Sequence, residues 1–151
     1  MRDWPGADGP LIHVPDPIRD SGLIVEIAPR LAPTYRVLSI APRPECAYQI
    51  HVADLEGVLA QFGFEHTLIA AEGLACVSAL LLAAWFPERV AALVLIDASL
   101  IAPDGETLLA RSMRDCPPQR PALHCPLVEL SGTDPTLVGQ LERLLAERPV
   151  P

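Results

Sequence analysis

Three side chains that can accept or donate protons stand within or directly after short apolar runs in this sequence. His13 lies within such a run, and Glu72 and Asp97 each directly follow one. Imidazole and carboxylate groups often serve as general acids and bases, because this kind of catalysis needs only a positioned group of suitable pKa. Glu72 also stands just before a predicted helix, whose free N–H groups would stabilise its negative charge. The three residues are candidates for proton transfer in a hydrolase, lyase or isomerase that forms no covalent intermediate.

The apolar runs have the character of strands in a parallel sheet. They are short and nearly continuous, which is typical of strands covered by helices on both faces. Between them, apolar residues recur at intervals of three and four, which indicates helices. The predicted strands are residues 11–14, 36–40, 67–71, 92–96 and 126–130, and the predicted helices begin near residues 21, 52, 74, 104 and 137. This alternation predicts a single α/β domain over residues 1–151 with right-handed crossovers.

Five blocks of the sequence resemble, in order, motifs of the α/β-hydrolase superfamily. The blocks are residues 11–15, 35–43, 68–76, 92–97 and 125–134. The third resembles the strand-turn-helix that holds the family's nucleophilic serine, and Gly73 stands in the serine's place between Ala71 and Ala75. Such a turn requires small residues on either side of a strained centre. The resemblance implies that the turn is kept and the nucleophile is lost, with a glycine that tolerates the strained backbone.

The resemblance also implies a minimal hydrolase core without a cap domain. Its doubly wound sheet would have five parallel strands in the order 2-1-3-4-5, with the ligand crevice between strand 1 and strand 3. The residues expected to bind a ligand there are His13, Val14, Pro15, Ala71, Glu72, Gly73 and Leu74. Asp16 lies at the same strand ends, and Asp97 one strand further along. The first nine residues are expected to be too few for the family's initial antiparallel strands, and the segment that carries the family's catalytic histidine is expected to be absent.

Other reactive side chains have structural explanations that the sequence favours. Asp134, followed by proline, is predicted to be a helix N-cap and not a catalytic acid. Cys76 is predicted to be a buried thiol. His13 is expected to brace a loop, with acid–base work as the alternative, and His51 and His66 are expected to be solvated.

The composition excludes several classes of partner. The 151 residues carry a net charge of -8 and include no lysine, so the chain lacks the cationic clusters that bind nucleic acid or anionic membranes. The apolar stretch 74–86 is shorter than the roughly 20 residues of a membrane-spanning helix. The N-terminus has no signal-peptide core, and the four cysteines have no metal-binding spacing. These features predict a cytoplasmic protein with reduced thiols, no membrane insertion, no metal and no cofactor.

The sequence favours a non-catalytic α/β-hydrolase-like protein that binds a small apolar molecule or serves as an accessory subunit. Half of its residues are hydrophobic, which favours a homo-oligomer or a complex with a protein partner. The expected interface is the sheet edge at residues 126–130, together with the helix face around Leu137, Leu141 and Leu145. The alternative is an enzyme with non-standard acid–base chemistry based on Glu72, His13 and Asp97.

Overall fold

The computed structural model describes residues 1–147 as a six-stranded sheet with helices on both faces. The strands are β1 (Arg2–Trp4), β2 (Asp8–Val14), β3 (Tyr35–Ser39), β4 (Thr67–Glu72), β5 (Val90–Ile96) and β6 (Leu127–Leu130). The helices are α1 (Leu23–Leu31), α2 (Tyr48–Phe62), α3 (Ala75–Trp85), α4 (Leu108–Asp115) and α5 (Leu137–Ala146). No helix in this range is long and apolar enough to cross a membrane.

The sheet differs from the predicted one by an additional strand at its edge. Its order is β1-β3-β2-β4-β5-β6, and the last five strands in this order are parallel. β1 pairs antiparallel with β3, with Arg2 opposite Ser39. The prediction of a five-stranded, wholly parallel sheet is therefore wrong. The N-terminus supplies β1 as one antiparallel strand, where the sequence was expected to be too short for the family's initial antiparallel pair. The sequence pattern does not predict β1, because its three residues contain no apolar run and form a strand only by pairing with β3.

The two largest apolar layers of the core lie one on each face of the sheet, and a smaller cluster joins α4 to α2 and α3. Successive residues of a strand point to opposite faces, so each nearly continuous apolar run supplies both layers. α2 and α3 cover one face, where Ile12, Ile69 and Leu93 lie, and α1 and α5 cover the other. Leu137, Leu141 and Leu145 are at most 4% exposed in this second layer. The expectation that this face of α5 lies open for a partner is wrong, because α5 packs back onto the sheet and against α1.

Gly6 joins β1 to β2 by lying directly on the backbone of β3. A Cβ atom at this position would stand 2.3 Å from the carbonyl carbon of Tyr35. The adjoining chain is fixed by hydrogen bonds from the Ala7 N–H to the Pro33 carbonyl (3.1 Å) and from the Asp8 N–H to the Thr34 carbonyl (2.8 Å). Only glycine permits this close approach.

We predict that Gly6→Ala lowers the free energy of unfolding by about 1–3 kcal/mol, because the added methyl group forces β1 away from β3. The control is Gly57→Ala in α2, where nothing lies within 4 Å of the new Cβ. That change should raise stability by up to about 1 kcal/mol. Urea unfolding of both variants tests the prediction, and equal effects would contradict it.

Candidate functional site

The turn between β4 and α3 has the predicted strand-turn-helix geometry. β4 ends at Glu72, Gly73 has a φ of +56°, and α3 begins at Ala75. The Gly73 N–H donates to the Ile96 carbonyl (2.9 Å), and the Gly73 carbonyl accepts from the Ser99 N–H (3.2 Å). These two bonds tie the turn to the end of β5. Glycine suits this position because side chains disfavour a positive φ.

The carboxylate of Asp16 fills the space above Gly73. A Cβ atom on Gly73 would lie 2.0 Å from Asp16 Oδ2 and 2.6 Å from its Cγ. Asp16 Oδ1 accepts the N–H of Ile18 at 2.9 Å, which holds the loop after β2 in place. Asp16 therefore stands where a nucleophilic side chain at residue 73 would have to lie.

A cluster of hydrogen-bonded side chains lies beside this turn. His13 Nε2 contacts Glu72 Oε2 at 2.5 Å, and His13 Nδ1 contacts Ser39 Oγ at 2.8 Å. The Ser21 hydroxyl donates to Glu72 Oε1 at 2.5 Å. We call these four residues the His13 cluster. It forms because β3, β2 and β4 are neighbours, with His13 opposite Ser39 on one side and Ala70 on the other.

Three members of the His13 cluster are buried, and Ser21 is exposed. His13 is 0% exposed, Glu72 is 5% exposed and Ser39 is 6% exposed. With Glu72 ionised and the imidazole neutral, His13 Nε2 donates to the carboxylate and Nδ1 accepts from the Ser39 hydroxyl. The result is a hydroxyl–imidazole–carboxylate chain. Sequence reasoning named His13 and Glu72 but missed Ser39 and Ser21, although Ser39 lies in the strand that the predicted order places beside His13.

Asp97 lines two cavities together with Glu72 and Ser21, but its carboxylate bonds to a different part of the structure. Its φ of +49° is unusual for a residue with a side chain, and its Oδ2 accepts the N–H of Gly132 at 3.1 Å. The carboxylate therefore ties the end of β5 to the loop after β6. The structure does not join Asp97 to the other two proton-transfer candidates.

Asp134 begins a turn ahead of α5. Its Oδ1 accepts from the Thr136 N–H (2.8 Å) and the Thr136 hydroxyl (2.6 Å), and these hydrogen bonds lower the pKa of Asp134. The helix begins at Leu137 with Thr136 as its N-cap residue, so the prediction of Asp134 as the N-cap is wrong by two positions. The aspartate side chain closes a local turn two residues on.

Two further sequence predictions concern Cys76 and the remaining histidines. Cys76 is buried, its thiol donates to the Ala71 carbonyl (3.3 Å), and burial raises its pKa to about 12. This confirms a neutral buried thiol.

His66 is exposed, as predicted. His51 is not: it is 2% exposed, its Nε2 contacts the Arg43 carbonyl at 2.6 Å, and burial lowers its pKa. The loop before α2 folds over it, which sequence periodicity does not reveal.

Cavities open beside the turn and the His13 cluster. The first, about 440 Å³, lies over the turn and is lined by Asp16, Asp97, Glu72, Gly73 and Leu74, among others. The second, about 520 Å³, shares Ser21, Glu72 and Asp97 with the first and extends to α1 and the loop before α5. Of the expected ligand-binding residues, Glu72, Gly73 and Leu74 line the first cavity. Pro15 lines a third cavity, and His13, Val14 and Ala71 are 0% exposed.

The first cavity is not purely apolar. Carboxylates of Asp16 and Asp97 stand beside Ile18, Leu74 and Ile101 on its walls. A ligand there would meet both charged and apolar groups. Within residues 1–147, no group of three or more His, Cys, Asp or Glu side chains is placed to hold a metal ion.

Comparison with solved structures places the chain among proteins of the α/β-hydrolase fold. An α/β-hydrolase enzyme from the metagenome of sediments from the lagoon of Mar Chica, Morocco, is 19% identical with a TM-score of 0.62, covering 95% of this chain and 78% of that one. An α/β-hydrolase fold protein from Burkholderia ambifaria is 19% identical with a TM-score of 0.58, over 70% of this chain and 42% of that one. An α/β-hydrolase from Novosphingobium aromaticivorans is 31% identical with a TM-score of 0.53, over 62% and 38%.

These similarities define the fold. The matched region spans less than half the length of the Burkholderia and Novosphingobium proteins. No protein-family model matches the sequence, and no curated protein does.

We predict that Gly73→Ser gains no ester hydrolysis over the native protein and is not labelled at residue 73 by a fluorophosphonate. The new side chain would meet Asp16 at a positive φ, so the free energy of unfolding should fall by about 1–3 kcal/mol. Adding Asp16→Ala should recover part of that stability without creating activity, because a hydroxyl without a base remains a weak nucleophile. A higher rate of p-nitrophenyl acetate hydrolysis in Gly73→Ser would contradict this interpretation of the turn.

Proposed function

We propose that this protein is an enzyme whose proton transfer depends on His13 and Glu72 in place of a nucleophile at Gly73. The observation that carries the proposal is the 2.5 Å contact between His13 Nε2 and Glu72 Oε2, with Ser39 on the other ring nitrogen. A carboxylate that orients an imidazole, which in turn accepts from a hydroxyl, is the arrangement that activates imidazole bases in enzymes.

Burial increases the effect of this arrangement. In a site that excludes water, the Glu72 carboxylate stabilises positive charge on His13 more strongly than it would in solvent. Ser21 is exposed and donates to the second carboxylate oxygen, so it connects Glu72 to the first two cavities. The reaction classes that this supports are hydrolysis, elimination and isomerisation, in which a positioned base takes a proton from substrate or water.

Glu72→Gln tests the proposal because the amide keeps the shape of the side chain while removing its charge. Turnover of any substrate found in a panel of p-nitrophenyl esters and carbon acids should fall by roughly two to four orders of magnitude. Binding of the same substrate, measured by calorimetry, should change by no more than a few fold. The matched control is Glu26→Gln, since Glu26 is exposed and lines the second cavity outside the His13 cluster. Equal turnover in both variants would contradict the proposal.

A second candidate function is binding without catalysis, in which the protein holds a small, largely apolar molecule or acts as an accessory subunit. The Asp16 carboxylate above Gly73 favours it, because it closes the nucleophile's position while leaving the first cavity open. In this interpretation the His13 cluster braces three strand ends. A ligand that binds the native protein and Glu72→Gln equally, with no turnover by either, would establish it.

We also propose that the protein associates with a second copy through the outer edge of β6. In residues 1–147, β6 pairs with β5 alone, and Leu127 is 37% exposed. Glu129 pairs with Arg120 beside this edge. An unpaired edge strand offers its free backbone N–H and C=O groups to another strand.

Leu127→Lys should convert this oligomer to monomers at micromolar concentration, because a charge would be buried at the pairing edge. Analytical ultracentrifugation measures the change. Leu108→Lys on α4, where the leucine is 54% exposed, should leave the oligomer intact. A native protein that sediments as a monomer would overturn the proposal.

A further inference from the structure

Ser39 occupies the position that a nucleophile holds relative to a base and an acid. Its Oγ lies 2.8 Å from His13 Nδ1, and the opposite ring nitrogen lies 2.5 Å from Glu72. These distances are within hydrogen-bond reach for a serine, a histidine and an orienting carboxylate. In the tautomer in which Nε2 donates to the carboxylate, Nδ1 is the nitrogen that can take the hydroxyl proton.

Ser39 lies on a different strand from the turn that contains Gly73. Ser39 ends β3, which lies on one side of β2, whereas Gly73 follows β4 on the other side. His13 on β2 therefore faces a hydroxyl in the direction away from the turn. From this geometry we infer that Ser39 is the nucleophile of a displaced acyl-transfer centre, with His13 as its base and Glu72 as the orienting carboxylate. The inference rests on the proposed function and narrows it to the hydrolysis of small esters.

A cavity gives access to Ser39. This third cavity, about 380 Å³, is lined by Ser39, Pro15, Ile18, Ala41, Arg2 and Arg19. Its volume suits a small acyl group. In the part of the chain that the structure describes, neither Arg2 nor Arg19 forms an ion pair. Guanidinium groups at the wall of a cavity can stabilise the oxyanion of a tetrahedral intermediate.

The reaction balances with water as the only co-reactant. Ser39 Oγ bonds to the ester carbonyl carbon while its proton moves to His13 Nδ1 and the carbonyl electron pair moves to oxygen. The intermediate collapses, the bond to the alkoxy oxygen breaks, and that oxygen takes the proton from Nδ1 and leaves as alcohol. Water then attacks the acyl-serine, giving its proton to Nδ1, which returns it to Ser39 as the carboxylic acid departs.

Labelling of the native protein tests the inference directly. A fluorophosphonate should modify the protein once, and peptide mass spectrometry should place the adduct on Ser39. No adduct, or an adduct on another residue, would overturn the inference. Since the label is located on the native chain, this result does not depend on the folding of any variant.

Two variants separate nucleophilic from bracing roles. Ser39→Ala should abolish labelling and lower kcat/KM for p-nitrophenyl acetate by about 10³-fold or more. Ser131→Ala, the matched control at an exposed serine in the loop after β6 and outside the His13 cluster, should remain labelled. If Ser39→Ala keeps the native rate while Glu72→Gln loses it, the inference fails and the proposed function stands. If neither variant alters the rate, both fail.

Discussion

The contact between His13 and Glu72 is the interaction on which the arrangement of the site depends. It joins the ends of β2 and β4, the central neighbours of the sheet, with both side chains almost entirely out of water. A buried carboxylate is costly unless its oxygens have partners, and a buried imidazole likewise needs both nitrogens satisfied. Ser21 and Ser39 supply those remaining bonds. Removing any member would leave a polar group without a partner, so the cluster fixes the relative positions of β2, β3 and β4 at their carboxyl ends.

The turn at Gly73 keeps its backbone conformation although it carries no nucleophilic side chain. Its backbone is held by bonds to Ile96 and Ser99 at the end of β5, which do not involve the side chain at residue 73. The space above it is then available to Asp16, whose own loop is closed by a bond to Ile18. The scaffold of an α/β-hydrolase turn is therefore compatible with a carboxylate in place of a nucleophile.

The same pair of residues can support a structure or a reaction, and the difference lies in access. His13 is fully buried, and its two ring nitrogens contact Glu72 and Ser39, through which it is linked to the cavities. One route passes through Glu72 and Ser21 to the cavities over the turn, and the other passes through Ser39 to the cavity near the N-terminus. Bracing requires neither route to be open. Proton transfer requires at least one of these routes to be open. Whether the site can be catalytic therefore depends on access through Ser21 or Ser39.

The sequence by itself determined the parallel strands, the helices between them and the glycine at the turn, because apolar periodicity and a small-residue motif act over a few neighbouring residues. It did not determine β1, the burial of His51, the carboxylate above Gly73 or the two serines of the His13 cluster. The partners in that cluster are separated by 26, 51 and 59 positions along the chain. Such contacts arise only when strand order and register bring distant strand ends together, and no local pattern records them. Glu72 and His13 could be named from the sequence because they end strands, but only the tertiary structure decided that they touch each other and that Asp97 does not join them.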